Sequence, residues 1–153
     1  MQANAVVYEA FPYGIVALDA DEDGDLDCVM AVKQELDQNS KTAVYVMVLP
    51  PLLGKSGENH TYNIREGASP DQPIFTVDDG ADGEKTLNYI YTNYKNCAVV
   101  DLPFKNKRKC SLWVKKDALQ NTPQECMQQY EDNCDNAVVR FDEETCKGLF
   151  DNV

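Results

Sequence analysis

At 153 residues the chain suffices for one domain, which would bury roughly 70% of the surface its unfolded form exposes. Its 26 acidic and 14 basic residues give a formal charge of −12, which repels phosphate backbones and anionic membranes and so argues against nucleic-acid or membrane partners. No apolar run approaches the twenty or so residues that span a bilayer. Met1-Gln2-Ala3-Asn4 lacks the basic start of a signal peptide, so the chain reads as a mature form carrying an initiator Met.

The first apolar segment, YGIVAL, reads as a strand and runs into the acidic stretch DADEDGDLDCVM. Acids at the first, third and fifth places of that stretch and Gly24 at the sixth match a helix-flanked calcium loop. Met30 stands where the closing bidentate Glu should be, and both flanks are β-branched and alternating, so the stretch is expected to be a hairpin turn without a metal. Further candidate strands follow: LDCVMAV, KTAVYVMVL, HTYNIR, PIFTV, TLNYIYT, CAVVDL and KCSLWV, making eight in all. Short acidic, Gly-containing or basic turns separate them, which is the rhythm of an antiparallel meander, and a meander of eight closes into a barrel.

Alternation places Leu87, Tyr89 and Tyr91 on one face of their strand and Ala98, Val100 and Leu102 on one face of the next. Between the third and fourth strands PPLLGKSGEN is long enough for a lid or an exposed contact. Beyond the strands, Thr122-Pro123-Gln124-Glu125 reads as a helix start with Thr122 as N-cap, and a helix of about three turns is expected to run to near Cys134. AVVRF and the segment from Glu144 to Phe150 suggest a short closing strand or turn. The expected architecture is all-β with a C-terminal helix, an eight-stranded antiparallel barrel in a single domain over 1–153.

Cys28, Cys97, Cys110, Cys126, Cys134 and Cys146 show no CxxC spacing, and one His leaves no zinc pattern, so disulfides are expected, with fifteen connectivities open. Asn59-His60-Thr61 is a glycosylation acceptor, placed with His60 in a polar loop. Disulfides and sequon both point to a secreted, extracellular chain. No Ser-His-Asp or Cys-His set converges, so no enzyme is expected, and no cofactor.

The run YTNYKNCAVVDLP, then KCSLWV, then TPQECMQQYEDNC and finally ETCKGLF resembles the succession in the tick salivary lipocalins, the histamine-binding-protein-like family. The resemblance covers most of the chain, although the general lipocalin G-x-W signature on the first strand is absent and Trp113 is the only Trp. It implies a lipocalin barrel and the pairings Cys28 with Cys146, Cys97 with Cys126 and Cys110 with Cys134. It also implies where a cationic amine would be held, and there the chain departs: Ala98 and Ser111 stand where amine binders carry acids.

Two binding functions follow. In one, a cavity near Trp113, Ser111, Ala98, Val100, Tyr89 and Tyr91 captures a small amine or an apolar lipid, with plain core filling the simpler role for Trp113. In the other, which the segregated charges favour, a secreted monomer suppresses host defence by gripping an extracellular immune protein such as a complement component. The contacts would be the basic hairpin Lys105, Lys107, Arg108 and Lys109 and the acidic turn with Asp21 and Asp23.

Overall fold

The computed structural model describes residues 7–19, 27–51, 56–104, 107–134, 138–139, 144, 146 and 148–150. After a four-residue helix α1 (Val7–Ala10) come β1 (Tyr13–Asp19), β2 (Met30–Asp37), β3 (Thr42–Leu49), β4 (Glu58–Arg65), β5 (Ile74–Val77), β6 (Lys85–Thr86), β7 (Asn88–Thr92), β8 (Cys97–Phe104) and β9 (Lys107–Val114). A 3-10 turn (Lys116–Ala118), helix α2 (Gln124–Asn133) and the two-residue β10 (Val138–Val139) complete the described elements.

All pairings are antiparallel, in the order β6-β5-β4-β3-β2-β1-β9-β8-β7, so the two ends of the path, β6 and β7, are neighbours in the chain. Only Leu87 separates them. Its amide donates to the Pro73 carbonyl at 2.9 Å and the Tyr89 amide to the Asp71 carbonyl at 2.8 Å, which carries the ladder across the gap and closes the barrel. Counting β6 and β7 as one interrupted arm gives eight described staves, each marked in the sequence by a run rich in Val, Tyr, Ile and Thr between turns. β3 shows the pattern plainly: Ala43, Tyr45 and Met47 are buried, while Val44 and Val46 between them are half-exposed.

Three expectations of local structure are corrected. β2 starts at Met30, not Leu26, because Cys28 has φ of 57° and turns the chain before the strand begins. His60 lies on β4, not in a loop. The Thr122 cap does not form; its hydroxyl donates backwards to the Ala118 carbonyl at 2.7 Å, and no side chain caps α2.

α1, which has no signature in the sequence, lies across the end of the barrel where β1 begins. Tyr8 is buried, and its hydroxyl donates to the Lys41 carbonyl at 2.5 Å, reaching the β2–β3 turn. The Tyr45 hydroxyl sits between the carbonyls of Tyr8, at 2.8 Å, and Phe11. Tyr45→Phe would leave these buried acceptors without their donor and is expected to cost about 1–3 kcal/mol, read as a lower urea midpoint at unchanged m-value.

On the outside, α2 covers β7, β8 and β9, burying Tyr130 and Cys126 against Val99, Leu112 and Val114. Disulfides Cys97–Cys126 and Cys110–Cys134 tie this helix to β8 and β9, and Cys28–Cys146 ties the C-terminal segment to the approach to β2. β1 leaves β2 after Val16, beyond which Leu18 and Asp19 pair with β10.

Candidate functional site: the barrel interior

The inner faces of the staves enclose a cavity with about 700 Å³ of atom-free space, counting its opening. Tyr8 and Phe11 close it at the α1 end; Tyr45, Met47, Tyr62 and Ile64 form one wall and Ala98, Val100, Leu102 and Trp113 the other, with Leu87 and Tyr89 between. These positions alternate along their strands, so the pleat that makes the barrel also makes the wall apolar.

Trp113 packs over Gly14: a Cβ at that glycine would meet the indole at 3.4 Å. The indole N–H donates to Ser111 Oγ at 2.9 Å, which holds the ring in place and leaves its apolar surface for the cavity. Trp113 is thus part of the cavity wall. Ser111, fully buried on the same inward face, orients the indole and is not itself among the lining residues. Tyr89, Ala98 and Val100 line the space. Tyr91 does not, because the β7–β8 register slips between Tyr89 and Tyr91; the extra residue, Ile90, sends Tyr91 to the outer face against the α2 cluster.

No Asp or Glu is among the described lining residues. The two acids implied for an amine site are absent from the described wall, which offers a cation only aromatic faces, worth about 1–2 kcal/mol against a desolvation cost of several. Burial pushes the Tyr8 phenol up to about 12, with Glu66 and Glu9 adding to the shift. Burial also raises the Tyr45, Tyr62 and Tyr89 phenols strongly, with smaller pushes from Tyr89, Asp78 and Tyr8 in turn, so all four stay protonated at neutral pH.

Towards the far end of the barrel, His60 pairs in register with Met47 and so shares its inward face. Its Nδ1 lies 2.9 Å from Asp78 and its Nε2 2.8 Å from Glu58. The Asp78 hydrogen bond raises the imidazole pKa, desolvation opposes this and Glu58 adds to it; Asp78 is lowered by His60 and by the Thr61 amide. A raised His contributes stability below its unfolded pKa, about 6.5, and loses it as pH rises through the folded value; a lowered Asp contributes above about 3.8 and loses it as pH falls. The pair is therefore intact between these limits. In an NMR titration His60 should show a pKa above 6.5 that falls back in Asp78→Asn; an unchanged value in that variant would contradict the pairing.

The charged loops fare differently from expectation. Lys109 is fully buried on the inward face it shares with Ser111 and Trp113, so its charge cannot meet a partner's surface, and its place in the basic contact is corrected. Arg108 is exposed but engaged, its Nε donating to Asp101 at 3.0 Å. Lys107 is exposed. Lys105, Asp21 and Asp23 lie outside the described residues, as do Leu52 and Leu53. Asn59 is exposed on the outer face of β4. Sequence reasoning missed Tyr8 and Phe11, which carry no periodic signal, and Tyr45, Met47 and Tyr62, whose alternation would have revealed them.

The profile of tick histamine-binding protein matches residues 16–148. No curated protein matches in sequence. Among solved structures, the chain is similar to Japanin from Rhipicephalus appendiculatus bound to cholesterol, at 16% identity and TM-score 0.59 over 94% of this chain and 98% of that one. It is similar to AM182 in its serotonin complex at 13% identity and TM-score 0.61, over 87% and 83% of the two chains. The amine binding protein of Rhodnius prolixus, in its tryptamine complex, aligns at 14% identity and TM-score 0.53 over 92% and 86%. At such identities these likenesses establish the lipocalin fold, and the match over 16–148 establishes the family. The chain belongs to the tick histamine-binding protein family, a ligand-binding and non-enzymatic group of lipocalins.

Proposed function

We propose that this protein is secreted in tick saliva and sequesters a small, uncharged, largely apolar host mediator inside its barrel. The observation that carries the reading is the wall itself: aliphatic and aromatic side chains with protonated phenols and no carboxylate among the described lining residues. Such a wall stabilises apolar surface at about 25 cal/mol per Å² buried and leaves an ammonium group without a counter-charge. Cholesterol in Japanin is a ligand of the chemistry that fits; serotonin and tryptamine in the other two structures are of the kind that does not.

The test is a titration of lipid-stripped protein with cholesterol and with serotonin, followed by the fluorescence of the single tryptophan, Trp113. Saturable binding of the sterol with little response to serotonin supports the reading. Tight serotonin binding would overturn it.

A second reading, capture of a host immune protein such as a complement component, draws support from Lys107 and Arg108, exposed on the β8–β9 hairpin. It loses Lys109, which is buried, and part of Arg108, whose charge Asp101 offsets. A pull-down from mammalian serum, with complement haemolysis scored in parallel, tests it: one retained protein and lost lysis support this reading, and a clean column with normal lysis removes it.

A further inference from the structure

Resting on the cavity reading and deepening it, we propose that Tyr89 and Tyr62 select the ligand: a neutral molecule, apolar over most of its length, whose hydroxyl or carbonyl oxygen accepts the Tyr89 phenol proton near the α1 end, with Tyr62 serving a second oxygen further along. The described cavity wall carries five side-chain polar groups: the hydroxyls of Tyr8, Tyr45, Tyr62 and Tyr89 and the indole N–H of Trp113. Three are committed to the protein. Tyr8 donates to the Lys41 carbonyl, Tyr45 to the carbonyls of α1 and Phe11, and Trp113 to Ser111. The hydroxyls of Tyr62 and Tyr89 make no hydrogen bond to any described residue.

Their positions differ in depth. Tyr89 belongs to the end closed by α1: its amide donates to the Asp71 carbonyl in the turn between β4 and β5, and that turn lies beside the β2–β3 turn reached by Tyr8, since Arg65 pairs with Thr42. Tyr62 stacks on Phe75, ring centroids 5.1 Å apart, and feels Asp78, which stands towards the far end. Tyr89 is held protonated by its burial, so it arrives at the ligand as a donor. A phenol proton left without an acceptor in an apolar space costs about 1–3 kcal/mol, so the cavity favours a ligand that brings an oxygen to it over one of the same shape that does not. A carboxylate would bring a charge, and no lysine, arginine or histidine is among the described lining residues to offset it.

One hydrocarbon with four ends tests this directly: dodecan-1-ol, dodecane, dodecanoate and dodecylammonium, each titrated into lipid-stripped protein and followed by Trp113 fluorescence and calorimetry. In the wild-type protein the alcohol should bind at least about 5-fold tighter than the alkane, and both ions should bind more weakly than the alcohol. Tyr89→Phe should weaken the alcohol by about 5- to 10-fold while leaving the alkane within about 2-fold. Tyr62→Phe, which keeps the stack on Phe75, should have a smaller effect on this single-oxygen ligand; it carries the same alcohol-against-alkane comparison if Tyr89→Phe does not fold. Equal loss for alcohol and alkane, no loss in either variant, or dodecanoate binding tightest would overturn the selection by these phenols and leave the cavity reading standing. Failure of all four compounds to bind the wild-type protein would overturn the cavity reading and this inference together.

Discussion

Serine at both Cys28 and Cys146 is expected to cost about 4–5 kcal/mol, the largest stability loss any one of the three disulfides can produce. The bond joins residues separated by 118 positions, against 29 for Cys97–Cys126 and 24 for Cys110–Cys134. Loop-closure entropy grows with the logarithm of the loop, so the shorter two should be worth about 3–4 kcal/mol each. The native structure adds a second reason. Beyond Val16 the first stave parts from β2 and takes β10 as its partner, and Cys146, seven residues past Val139, anchors that segment beside Ile15 and Phe150. Domains of this size hold about 5–15 kcal/mol in total, so the double variant should sit near its folding threshold at 37 °C. Urea melts of Cys28→Ser/Cys146→Ser beside Cys97→Ser/Cys126→Ser measure the comparison; an equal or smaller loss for the long-range pair would contradict it.

Ala98→Phe is expected to weaken binding of any cavity ligand by at least about 100-fold, equivalent to about 2.7 kcal/mol. Ala98 is buried on the inward face of β8, opposite Trp113 in register, and its small side chain leaves the space between the walls open. A phenyl ring there occupies the cavity. The fold should tolerate it better than an ordinary core would, because the ring enters empty space; an overpacking cost at or below about 1–3 kcal/mol is expected. Calorimetry with the ligand, beside a thermal melt of the variant, separates lost binding from lost structure, and a variant that melts normally and binds normally would place the ligand elsewhere.

The strands were legible because an antiparallel barrel imposes a two-residue period on residues such as Ala43, Tyr45 and Met47, and the turns between them carry glycine and acids. The period failed where the backbone slips. Tyr91 reads as an inward neighbour of Tyr89 until the bulge at Ile90 is known, and a bulge leaves no reliable mark in a single sequence. Lys109 shows the opposite error: its alternation with Ser111 and Trp113 pointed inward, but its charge suggested the surface. α1 was illegible for a third reason. Four residues, Val7 to Ala10, make too little helix for a cap or an amphipathic stripe, and tertiary contacts from Tyr8 to Lys41 and from Tyr45 to the carbonyls of Tyr8 and Phe11 hold it in place. With it went the floor of the cavity. The disulfide pairings came from the family resemblance, since spacing alone could not choose among fifteen, and the structure has those same three bonds.

The burial of Lys109 and the apolar cavity wall both support the proposed reading in which the interior binds the ligand. Charge on this chain is abundant outside and absent from the described lining, and that separation is what an uncharged ligand needs. Native mass spectrometry of the oxidised protein after incubation with cholesterol is the most direct test. A one-to-one adduct is expected in the wild-type protein and should disappear in Ala98→Phe. An adduct that persists in that variant, or no adduct beside a serum protein retained by the wild type, would contradict the proposed reading.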